Sequence, residues 1–188
     1  MLASPFFDGS GDPWSWSWHP SVIIGLALIT GGYLLGNAMV FLALLSPLDS
    51  LADGFLFSAH MVQHILLVTF APVLWLLGVP DGLLNYLVRP GWLRRFAYHV
   101  TRPVPAFVIF NGVFLVWHIP ALYNLALEEL PLHIAMHLSF MASAVIGWWP
   151  VYSRFEEAAP RASLTTQLFY LFIMMFPSIA LSAWITFS

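Results

Sequence analysis

Five stretches of this chain contain no Asp, Glu, Lys or Arg: Ser21–Leu48, Gly54–Pro80, Pro103–Leu127, Leu130–Ser153 and Ala162–Ser188. Each exceeds the roughly 20 residues that cross a bilayer as a helix. Backbone in hydrocarbon must satisfy its own amides, so only helices or closed barrels can form from such runs. Polar–apolar alternation, the mark of barrel strands, is missing. The chain of 188 residues is 60% hydrophobic and 8% charged, with mean hydropathy +0.84, which excludes an ordinary soluble domain. The expected fold is all-α: a polytopic transmembrane helical bundle of about five to six spans, forming one integral membrane domain over residues 1–188.

All six basic residues are arginines, and there is no cysteine. Disulfides, thiolate zinc sites and thiolate copper relays are therefore excluded. Nothing in the charge pattern points to nucleic acid. Arg89, Arg94, Arg95 and Arg102 lie between the second and third runs, and Arg154 and Arg161 between the fourth and fifth. Positive loops stay in the cytoplasm, so both loops are expected there. The opposite loops carry Asp49, Asp53, Glu128 and Glu129 and are expected outside. The segment 81–102 mixes arginines with Trp92, Leu93 and Phe96, which suits a cytoplasmic segment lying along the headgroups, or a simple loop. Trp14, Trp16 and Trp18 suit an interfacial aromatic belt. The N-terminus lacks basic residues ahead of an apolar core, so no cleavable signal is expected. Five spans would put that end inside, yet it carries Asp8 and Asp12. Gly31, Gly32, Gly36 and Asn37 suit a break. The expectation is that two helices meet near Gly36–Asn37, with a connecting stretch absent between them. Pro72 and Pro177 are expected to kink their helices.

Inside these runs sit two histidine pairs, His60 and His64 in AHMVQHILL and His133 and His137 in LHIAMHLSF. Residues four apart share one helix face. Imidazole at membrane depth is costly without a partner. With the orientation above, His60 and His64 lie roughly 7 and 13 Å below the outer boundary, and His133 and His137 roughly 4 to 11 Å deep, at 1.5 Å per residue. His118, just before Pro120, falls near the outer end of the third run. Five histidines from three helices thus share the outer half of the bilayer.

Neutral imidazole suits copper, zinc, iron and nickel. Met61, Met136 and Met141 lie nearby, and thioether favours Cu(I). No carboxylate lies within the runs, which argues against a di-iron carboxylate bundle. HMVQH has Gln63 near the place where a zinc protease needs glutamate. Copper is therefore favoured over iron and zinc. Structural readings stand beside this one. His19 and His99, near interfaces, read as packing residues, and for His118 a structural role and a metal role both remain open. The methionines read first as core filler and then as auxiliary ligands. Gln63 and Asn111 read as helix–helix hydrogen-bond partners, with a supporting role behind a metal also possible for Gln63.

The segments LLSPLDSLADGFLFSAHMVQHILLVTFAPVLWLLGVP, FLVWHIPALYNLAL, LHIAMHLSFMASAVIGWWPV and the closing ITFS together resemble the multi-span bacterial CtaG family of cytochrome c oxidase assembly factors. SPLD, HMxQH, WHxP and HxxxH occur in order, and the likeness extends from Trp14 onward. The resemblance implies about seven spans and a bacterial inner-membrane location. It also implies a role in maturing a haem–copper oxidase by delivering or handling copper for its catalytic subunit. On it, the motif histidines are His60, His64, His118, His133 and His137.

Four functions are weighed. The first is a copper-handling assembly factor, not an enzyme, whose partners are oxidase subunits and membrane lipid. A haem-binding redox subunit, with axial histidines from opposing helices, is the second. The third is a membrane enzyme using a metal-bound water, weakened by the absence of an intramembrane carboxylate. The fourth is a structural subunit of a respiratory complex.

Overall fold

The structure is a computed structural model that describes residues 20–48, 57–80, 83, 86, 88–153 and 161–187. Among these residues every regular element is helical and none is a strand. Helix α1 is Pro20–Leu44. Helix α2 covers 57–78, with α-helix over Phe57–Ile65, a π-helical turn over Leu66–Phe70, and α-helix again over Ala71–Gly78. Then follow α3 (Gly91–Val100), α4 (Pro103–Trp117), α5 (Pro120–Glu128), α6 (Leu130–Tyr152) and α7 (Leu164–Phe187). The expectations for Trp14, Trp16, Trp18, His19, Asp49, Asp53 and Arg154 concern positions outside the described residues.

Among the described residues three helices are long and apolar enough to cross a membrane, Ser58–Gly78, Leu130–Tyr152 and Leu164–Trp184, with Thr30–Leu44 of α1 a shorter apolar stretch. A fourth span results if α3 and α4, bent by 78° to each other, count as one. The described residues thus carry three to four candidate spans where five to six were expected. One reason lies in the third charge-free run. Pro120 has no N–H and pushes the residue before it into extended backbone, so Ile119 leaves the helix and α4 ends at Trp117.

Gly36 and Asn37 lie inside α1, which continues through them unbroken, so the expected break is corrected. The glycines serve packing instead. A Cβ on Gly32 would stand 3.1 Å from Gly78 Cα and from Leu74 O, and one on Gly36 would stand 2.5 Å from Trp75 Cδ1. Gly32 and Gly36 are four apart, so both face α2, and small residues at this spacing let two membrane helices approach closely. Gln63 Nε2 donates to Ala43 O at 3.1 Å at the other end of the contact. Pairing of 32 with 78 and 43 with 63 makes α1 and α2 antiparallel.

Pro72 explains the π turn. In a regular helix the N–H of residue 72 would bond the carbonyl of Val68, and proline has none. The ladder slips, Ala71 N–H bonds Leu66 O, and the helix resumes. Val68 O is taken instead by Trp148 Nε1 of α6 at 2.7 Å. Pro177 likewise lies inside a continuous helix, α7.

Helix α6 is central. Its Ser139 accepts from Trp117 Nε1 at 2.8 Å, Gly147 packs against Phe110 of α4, and Gly147 O accepts from Tyr170 of α7 at 2.6 Å. Asn111 of α4 reaches Met174 of α7 at 3.3 Å, the interhelical role expected of it. Polar side chains are buried while Leu138, Leu168, Phe172 and Phe176 are exposed. That inversion of a soluble protein's surface is stable only where lipid covers the outside.

Candidate metal centre

The antiparallel pairings bring the C-terminal ends of α1 and α4 to the same end of the bundle as the N-terminal halves of α2 and α6. All five histidines named above lie at that end. The two pairs do not meet as equals, however. His60, His64 and His118 form a compact trio in which one ring nitrogen from each lies within 4.8 Å of the other two. His133 and His137 form a second group, with ring centres 4.5 Å apart.

Helix geometry builds the first half of the trio. His60 and His64 stand one turn apart on α2, both buried, with their Nε2 atoms 2.7 Å apart. In the neutral pair one Nε2 carries a proton and donates it to the lone pair of the other; moving that proton to Nδ1 would free both Nε2 lone pairs toward one point. His118 comes from another element. It caps α4 at φ −90° and ψ 4°, which turns the ring back over the last turn. Its Nδ1 donates to Phe114 O at 2.7 Å. A carbonyl only accepts, so Nδ1 carries the proton and Nε2 keeps a lone pair. That Nε2 is buried with no hydrogen-bond partner, and so is His64 Nδ1. Orphaned imidazole nitrogens in a dry site are uncommon, and coordination of an ion would account for them.

Aromatic rings close the trio off. Phe140 stands edge-on to His64 at 4.9 Å, Phe114 lies 4.3 Å from His118, and Tyr123 of α5 stands 5.6 Å from His60. Such walls exclude water and fix the ring planes. The second group is more open. His133 is half-buried and His137 buried, and they line a cavity of about 300 Å³ with Met141, Leu44, Leu130 and Leu138. The groups are neighbours, since Phe140, three residues beyond His137 on α6, packs against both His64 and His118.

The remaining candidates divide. Met136 is buried in the core with Phe140 and Ala126, the filler role. Met61 is half-buried on α2, and Met141 lines the cavity beside His133 and His137. Gln63 spends its Nε2 on α1, the packing role. His99 lies exposed on α3, beside Tyr98 and away from the cluster. Trp148 is the residue that sequence reasoning missed. It holds the π turn directly after His64, and the signal was available, since Pro72 frees the carbonyl four residues earlier.

As a donor set, the trio offers three neutral imidazoles, no carboxylate and no thiolate. It suits a borderline or soft cation more than a hard one. A family model described as cytochrome c oxidase caa3 assembly factor matches residues 27–188 of the chain. No curated protein and no solved structure matches it.

Proposed function

This chain belongs to the cytochrome c oxidase caa3 assembly factor family, and we propose that it serves assembly by holding copper at the histidine cluster and passing it to an oxidase subunit. The observation that carries this reading is the buried trio of His60, His64 and His118, with ring nitrogens within 4.8 Å of one another. Copper is cargo here and keeps its oxidation state throughout. His60, His64 and His118 would hold the ion in a dry site. His133 and His137, beside the open cavity and Met141, form the exchange station through which it enters or leaves by ligand substitution. Imidazole and thioether hold Cu(I) without the permanence of thiolate, which suits handover. No general base is needed, consistent with a role that is not catalytic.

The same reading places the protein in a bacterial cell membrane with Arg89, Arg94, Arg95, Arg102 and Arg161 on the cytoplasmic side. The histidines then face the outer leaflet. A haem-binding or purely structural subunit is supported less well. Axial histidines from opposing helices need an open slot for the macrocycle between them, whereas His60 and His64 are crowded by His118, Phe114 and Phe140.

The test is anaerobic Cu(I) titration of the detergent-purified protein. One tightly held ion is expected, lost in the His60→Ala, His64→Ala double variant. Unchanged stoichiometry and affinity in that variant would overturn the proposal. A Soret band in the purified protein would favour haem.

A further inference from the structure

At the end of the bundle away from the histidines, a second cavity of about 260 Å³ opens where α3, α4 and α7 come together. It is lined by Tyr98, Thr101, Arg102, Arg161, Ala162 and Thr166. Arg102 and Arg161, 59 residues apart in sequence (161 − 102), line it together only because of the fold. Among the described residues no carboxylate lines it. Arg102 is steered by Tyr98, whose ring centre lies 5.2 Å from its Cζ. Two like charges sharing one cavity repel unless an anion lies between them. The positive ends of α4 and α7, which begin at Pro103 and Leu164, point the same way.

We propose that this cavity binds the phosphate of an anionic membrane phospholipid, gripped by Arg102 and Arg161. Guanidinium presents a planar fork that matches phosphate oxygens. The surroundings favour a lipid over a free ion. Helix α3 turns 78° from α4 and exposes Trp92 and Phe96, as a helix lying in the headgroup plane does. Val104, Leu164 and Leu168 stand exposed immediately along α4 and α7 from the arginines, where acyl chains would run. A free phosphate would have no use for them. The proposal rests on the membrane setting alone and stands whether or not the histidines bind copper.

Native mass spectrometry of the full chain in detergent tests it, with phosphatidylglycerol, phosphatidylcholine and inorganic phosphate as probes. Wild type should retain phosphatidylglycerol in preference to phosphatidylcholine. The R102Q/R161Q variant should bind phosphatidylglycerol roughly thirtyfold more weakly. R94Q/R95Q removes the same charge from α3 and should bind nearly as wild type. R102K/R161K keeps the charge, and so guards against a folding defect; it should retain the preference for phosphatidylglycerol. Equal loss in R94Q/R95Q would reduce the effect to general surface charge and overturn the site. Equal retention of the two lipids by wild type, or displacement of lipid by millimolar inorganic phosphate, would overturn the lipid assignment.

Discussion

Replacing Trp148 with phenylalanine removes a donor from a carbonyl whose usual backbone partner, four residues on, is missing. Val68 O accepts from Trp148 Nε1 at 2.7 Å because residue 72 is proline and has no N–H to give. An acceptor left bare in a dry interior costs about 1–3 kcal/mol. Side-chain hydrogen bonds measured within membranes average only about 0.6 kcal/mol, with a maximum near 1.7. The expected loss for Trp148→Phe is therefore about 1–2 kcal/mol. For a chain of 188 residues that lowers the unfolding midpoint by roughly 2–8 °C. The π turn follows directly on His64, so Cu(I) affinity should also fall, roughly tenfold, as for other residues that orient a metal ligand. The decisive assay is a double-mutant cycle with Pro72→Ala, followed by thermal unfolding in detergent. Alanine in place of Pro72 restores the missing N–H, so Trp148→Phe should cost little in that background, a coupling of about 1 kcal/mol. Equal losses in the two backgrounds would refute the link from Pro72 through Val68 to Trp148.

Gly36→Ala would set a methyl group 2.5 Å from Trp75 Cδ1 and should destabilise the protein by about 1–3 kcal/mol, whereas Gly31→Ala, with nothing within 4 Å, should be neutral or better by thermal unfolding. Asn111→Leu removes a buried Oδ1 that has no partner, so the loss of the Met174 contact should be nearly balanced, with stability within about 1 kcal/mol of wild type in the same assay. His133→Phe with His137→Phe should slow Cu(I) uptake by stopped flow while leaving equilibrium affinity within about tenfold of wild type, the scale of a supporting group. Full loss of binding would make the second group part of the primary site.

Membrane character and helical class were readable from residue chemistry alone. Charge-free runs of more than 20 residues leave backbone amides no partners but their own. The histidine pairs were readable too, because four-residue spacing sets a shared face whatever the surroundings. Even the shared level of the five histidines followed from spacing and loop charge. What spacing leaves open is the relation between helices. The glycines of α1 read as a break, but against Trp75 and Gly78 they prove to be contact surface, since the same absence of a side chain serves both purposes. Spacing does not place the His118 ring; the turn before Pro120 ties its Nδ1 to Phe114 O and leaves Nε2 beside the α2 pair. That His60 and His64 join His118 more closely than they join His133 and His137, and that Arg102 shares a cavity with Arg161, belongs to tertiary structure alone. Periodicity orders residues along one helix, but only packing against other helices sets the distances that a ligand requires.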